Sequence, residues 1–88
     1  MIRQQLKIKN KLGLHVRAAA KLVDTAKKFG SHIDLIYLDR TVDCKSIMGV
    51  ITLGAQKDNN VDVVIEGEDE KEALSAILTL IDNKFGED

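Results

Sequence analysis

The first residues of the chain alternate in polarity. Ile2, Gln4, Leu6 and Ile8 fall on one side of an extended backbone, and Arg3, Gln5, Lys7 and Lys9 fall on the other. That pattern predicts a strand with one face toward a core and one toward water. Asn10 to Leu14 break the alternation and read as a loop. From Val16 the period changes, with Val16, Ala19, Ala20, Val23, Ala26 and Phe29 spaced as one face of a helix. This helix is expected to run to about Lys28 and to close near Gly30, a good C-cap residue. His32 to Leu38 is apolar and β-branched and predicts a second strand, with His32 at its edge in a surface or structural role. Asp39-Arg40 offers a turn without glycine, and Thr41 to Cys44 a short third strand.

Ser46 is a natural N-cap, and Ile47, Val50, Ile51 and Leu53 follow as a short helix stopped by Gly54. The loop Lys57-Asp58-Asn59-Asn60 leads to a fourth strand, Val61 to Ile65. Asp69 and Glu72 have capping-box spacing, so the acidic run reads as the first turn of a helix and not as a metal site. Ala73, Leu74, Ile77, Leu78, Ile81 and Phe85 form its apolar stripe. The order is βαββαβα over residues 1–88, expected to be one domain of the α+β class, a sheet covered on one face by helices.

Composition narrows the function. Eighty-eight residues support one modest core. A net charge of −1 gives no reason to expect nucleic acid or an acidic membrane surface as partner. The single cysteine, Cys44, excludes an internal disulfide and the Cys-x-x-Cys pair of a metal chaperone. It follows Val42 at strand spacing, which makes it a buried small hydrophobe. An RNA-binding module would need stacking aromatics, and Phe29, Tyr37 and Phe85 stand at core-like positions. No apolar run reaches membrane-spanning length and the N-terminus has no signal-peptide core, so the expected location is cytoplasmic.

The candidate chemistry lies in Lys11-Leu12-Gly13-Leu14-His15-Val16-Arg17-Ala18-Ala19-Ala20. A lone histidine at a helix start is more often a cap or a solvated side chain than a nucleophile. Here, however, His15 meets the free N–H groups and the positive dipole end of a helix, both of which favour an anion. Arg17 adds a planar, permanently charged fork suited to phosphate. An imidazole that is largely neutral near physiological pH, beside a site made for an oxyanion, points to phosphoryl transfer.

Gly13-Leu14-His15-Val16-Arg17-Ala18-Ala19 resembles the active-site motif of the HPr phosphocarrier proteins of the bacterial phosphotransferase system. Cys44-Lys45-Ser46-Ile47-Met48-Gly49-Val50 resembles the second signature of that family. The resemblance implies an open-faced sandwich with a four-stranded antiparallel sheet. It implies that His15 is phosphorylated on Nδ1 by enzyme I, itself charged from phosphoenolpyruvate, and passes the group to a histidine of an enzyme IIA-type acceptor. Such a protein is a carrier in a relay rather than a stand-alone enzyme, and it uses no cofactor or metal. The amides of Val16, Arg17 and Ala18, with the Arg17 guanidinium, would hold the phosphoryl group. Gly13 would let the backbone turn without obstructing the partner's active site.

Ser46 would be a site of regulatory phosphorylation by an HPr kinase/phosphorylase. Ile47 and Met48 would form the docking surface, Met48 exposed and Ile47 equally suited to core or surface. The chain is expected to act as a monomer. Two positions depart from the commonest family pattern: Ala18 replaces a proline and Leu12 a small polar residue. Asn10-Lys11-Leu12-Gly13 and the tail Phe85-Gly86-Glu87-Asp88 resemble the nitrogen-related branch, whereas the Ser46 segment resembles the kinase-regulated branch. The rival reading is a regulatory HPr-like module that binds partners without carrying phosphate; His15 followed by Arg17 argues against it.

Overall fold

In the computed structural model, which describes residues 1–87, the expected order is found: β1 (Ile2–Lys7), α1 (Val16–Ala26), β2 (His32–Tyr37), β3 (Arg40–Asp43), α2 (Ile47–Leu53), β4 (Asn60–Glu66) and α3 (Glu70–Asp82). A 3₁₀ turn, Lys84–Gly86, follows. Asp88, the last residue of the tail motif, lies outside the described residues. The four strands pair antiparallel in the order β1-β4-β2-β3. The register sets Leu6 opposite Val61, and Leu35 between Val63 and Val42. Their side chains, with Ile33 and Ile65, meet Ala18, Ala19, Leu22, Val23, Val50, Ala73, Ile77 and Ile81 from the helices in one core. The opposite face is open and polar, and on it Arg3 donates to Asp62 at 2.7 Å and His32 Nε2 lies 3.0 Å from Asp34. No helix of the described residues is long and apolar enough to cross a membrane.

Several local expectations shift, each for a physical reason. Gln4 shares the inward parity of Leu6 yet is exposed, on a strand that forms the edge of the sheet. In α1 the buried row is Ala18, Ala19, Leu22, Val23 and Ala26, so Val16 and Ala20 are not its core positions and Val16 is 63 % exposed. The helix stops at Ala26, two residues before Lys28, because the amides of Lys28 and Phe29 turn to the carbonyls of Thr25 and Ala26 in tighter 3₁₀-type bonds. Gly30 is not the cap; its N–H donates to Asp69 at 2.8 Å.

The β2–β3 turn falls one residue early, on Leu38 and Asp39, since Arg40 already pairs with Tyr37 and begins β3. Leu38 takes a positive φ of 57° there. The capping box is absent. Asp69 occupies the N-cap of α3, but its carboxylate accepts from Gly30 N, Ser31 N and Ser31 Oγ, tying the α1–β2 connection to the start of α3. Glu72 stays exposed. Phe85 is buried as the apolar pattern demands, but from the 3₁₀ turn and not from the helix, which ends at Asp82. The short helix α2 keeps its expected bounds: Ser46 Oγ accepts from Gly49 N at 3.1 Å, and Gly54 ends it at φ 74°.

Candidate functional site

The loop from Asn10 to Leu14 sets the entry to α1. Gly13 N–H donates to Asn10 O at 3.2 Å, Asn10 Nδ2 returns to Gly13 O at 2.7 Å, and Leu14 N–H donates to Ala55 O at 3.0 Å. Buried Leu14 anchors the loop to the core. Gly13 lies at φ 67°, and a Cβ there would sit 2.7 Å from Ala55 O and Gln56 Cα. The need for glycine is internal: a side chain here would run into this chain's own backbone. Gly13→Ala combines a positive-φ penalty with a clash against unyielding backbone, and is expected to destabilise the protein by about 2–4 kcal/mol. Chemical denaturation of the two proteins measures this.

His15 takes the N-cap position in extended conformation (φ −77°, ψ 179°), its carbonyl accepting from Ala19 N–H at 2.8 Å. Its ring makes no cap bond. The ring instead meets the tail, with Nε2 2.6 Å from Glu87 Oε2. Glu87 Oε1 accepts from Asn10 Nδ2 at 3.0 Å. Lys21 Nζ donates to Phe85 O at 2.6 Å, and buried Phe85 seats the turn in the core. Arg17, Lys21, Gly86 and Glu87 line a cavity of about 330 Å³ beside the histidine. The Asn10 amide, reinforced by His15 and Arg17, holds the Glu87 carboxyl below the usual carboxylate range against the opposing effect of burial.

The first turn of α1 brings the expected residues together unevenly. Val16 and Arg17 are exposed, and helix geometry leaves their N–H groups without intrahelical acceptors. Ala18 is fully buried, its methyl being part of the core. It takes the place of the family's proline without breaking the helix. Ser46 caps α2, which packs on α1, while Ile47 is 40 % and Met48 67 % exposed. Leu12 and Val16 are the other large apolar residues exposed near the two helix starts. Cys44 is buried, and burial with Asp43 and Asp34 nearby pushes its thiol up to about 12. It packs as a small hydrophobe, as the strand spacing implies.

Asn10, Lys21 and Glu87 are residues of the site that the sequence pattern does not single out. Asn10 and Glu87 stand at opposite ends of the chain, 77 positions apart, and nothing local marks their meeting. The one available signal is the recurrence of both residues in the segments that resemble one branch of the family.

Comparison with known proteins places the chain in a family. A family model described as PTS-HPr, "PTS HPr component phosphorylation site", matches residues 2–83. The phosphocarrier protein HPr of Xylella fastidiosa strain Temecula1 is 48 % identical over 88 residues, covering 100 % of this chain and 99 % of the relative. A crystal structure of HPr-C-His from Thermoanaerobacter tengcongensis superposes with a TM-score of 0.96 at 46 % identity, covering 100 % of this chain and 99 % of the other. An HPr dimer from the same organism matches with a TM-score of 0.79 at 47 % identity, covering 99 % and 100 % of the two chains. The antiparallel sheet ordered β1-β4-β2-β3 with its three helices is thus the fold of these HPr structures, and the chain belongs to the HPr family of phosphocarrier proteins of the phosphotransferase system.

Proposed function

We propose that His15 accepts a phosphoryl group from phosphoenolpyruvate-charged enzyme I and passes it to a histidine of an enzyme IIA-type acceptor. The observation that carries this reading is the placement of His15 at an uncapped helix N-terminus, with exposed Arg17 two residues on, in the first turn, and a cavity lined by Arg17 and Glu87. The phosphoryl group in flight carries spread negative charge, and catalysis of its transfer is mostly positioning and preorganised donors. In this reading the N–H groups of Val16 and Arg17, backed by that of Ala18, and the Arg17 guanidinium supply them. A donor set that held the product more tightly than the transition state would trap the group, so an exposed, partly open site suits a carrier.

Exposed Ile47 and Met48 support a docking role, since flexible apolar side chains at a surface adapt to more than one partner. Ser46, with its hydroxyl at the head of α2, is the proposed site of regulatory phosphorylation by an HPr kinase/phosphorylase. The proposed working state is the monomer, although relatives with dimeric structures exist. Incubation of the full chain with enzyme I and phosphoenolpyruvate is expected to yield an acid-labile, base-stable phosphate on His15. Failure to label with an enzyme I that charges another HPr overturns the reading.

Arg17 carries a prediction of its own. Arg17→Lys keeps the charge but loses the bidentate fork, and it removes no core contact because Arg17 is exposed. Transfer from enzyme I is expected to slow by about tenfold, the equivalent of one good charge-assisted hydrogen bond. Thermal stability should be unchanged. Rapid-quench measurement of phosphate uptake gives the comparison, and equal rates would make Arg17 a solvated bystander.

A further inference from the structure

Glu87 reaches His15 from 72 residues away, and the contact constrains the ring. An ionised carboxylate can only accept a hydrogen bond, so Nε2 must be the donor in the 2.6 Å contact. A neutral imidazole has a single N–H, which leaves Nδ1 with its lone pair. No hydrogen bond engages Nδ1 among the described residues. The carboxylate is itself held. Asn10, fully buried, donates from Nδ2 to Glu87 Oε1 at 3.0 Å and to Gly13 O at 2.7 Å. Both acceptors are oxygens, so the amide has one workable orientation, and a flipped Asn10 would set oxygen against oxygen twice. Its Oδ1 is the one buried side-chain polar atom left without a partner among the described residues. An amide kept buried at that cost, with both N–H groups committed to the loop and the tail, is built to clamp.

We infer that Asn10 and Glu87 are a positioning pair for phosphoryl transfer: Asn10 clamps the Glu87 carboxylate, and the carboxylate locks His15 in the tautomer that presents Nδ1 to the phosphorus. The inference rests on His15 being the phosphoryl acceptor. In the forward step the Nδ1 lone pair forms the N–P bond. The bond from phosphorus to its donor atom on enzyme I breaks, with its electron pair remaining on that donor. The Nε2 proton does not move, so the ring becomes cationic and faces the Glu87 carboxylate as an ion pair. In onward transfer the N–P bond breaks, its pair returns to Nδ1, and the ring is restored to the same tautomer. The carboxylate lies on the Nε2 side of the ring, away from the incoming phosphoryl group. Arg17 and Lys21, which line the same cavity, offset its charge. The depressed Glu87 carboxyl keeps the clamp ionised at neutral pH.

The test combines ring-nitrogen NMR of the full-length protein with kinetics of uptake from charged enzyme I. For wild type with a neutral ring, the spectrum should show Nε2 protonated and Nδ1 bare. Glu87→Gln should give a mixture of tautomers and lower kcat about tenfold, the equivalent of one charge-assisted hydrogen bond, with KM for enzyme I unchanged. Asn10→Ala touches no atom of His15 and should move the ring signals the same way. Should that variant fail to fold, Glu87→Gln decides alone. Wild-type tautomer signals and wild-type kcat in Glu87→Gln overturn the positioning pair while leaving His15 as acceptor. Absence of uptake by wild type itself would instead overturn the acceptor reading.

Discussion

The His15→Ala variant is expected to unfold within a few degrees of wild type and to take up no phosphate from charged enzyme I. The two halves of that result have separate causes. The ring stands at the N-cap, makes no cap bond, and lies outside the apolar core. Its removal costs the single contact with Glu87 and little packing, about 1 kcal/mol or less. Chemistry, by contrast, loses its only nucleophile. The other histidine, His32, begins β2 on the open face of the sheet against Asp34 and does not itself head a helix. A calorimetric scan and a phosphate-uptake assay check the two halves. Acid-labile phosphate on the alanine variant would mean that the transfer runs through another residue.

Ser46→Asp is expected to fold normally and to accept phosphate from enzyme I roughly a hundredfold more slowly. Two effects of the new charge oppose each other. Within the free protein, Ser46 Oγ already accepts from Gly49 N–H, and aspartate is an equally good N-cap. An anion at a helix N-terminus adds about 0.3–1 kcal/mol, so stability should hold or rise slightly. At the proposed docking surface the same charge lies next to Ile47 and Met48, where contact with a partner would strip its water. Desolvating a charge, or setting it against a like charge, costs several kcal/mol, and about 3 kcal/mol corresponds to a hundredfold. The interfacial effect is the larger one. Ser46→Asn caps without charge and should transfer close to wild type. Equal slowing by Asp and Asn would show that charge is not the cause.

Most of the architecture was legible because the elements announce themselves locally. The alternation at Ile2 to Ile8 and the Ser46 cap with its Gly54 stop depend on near neighbours, and α2 is found with the expected bounds. The errors come where a distant group outbids a local rule. Asp69 has the spacing of a capping box, but Gly30 and Ser31, brought up by the fold, take its carboxylate. Phe85 has the period of the α3 stripe, yet left-handed backbone at Lys84 and Phe85 delivers it to the core from a separate turn. Val16 fits an apolar period and is still exposed, because α1 is rotated so that Ala18 and Leu22 face the sheet.

By itself the sequence determined the βαββαβα order, the helix N-terminus behind His15, and the fork of Arg17, since each follows from periodicity or from residue chemistry within one turn. Only the tertiary structure decided that Gly13 must be bare against the Ala55–Gln56 backbone, and that Glu87 closes on His15 under the hold of Asn10. Such contacts join residues far apart along the chain, and their energy appears only once the core has brought Phe85 and the Asn10 loop together. A local pattern reports which face of a segment wants burial. It carries no record of which far segment will be lying beside it.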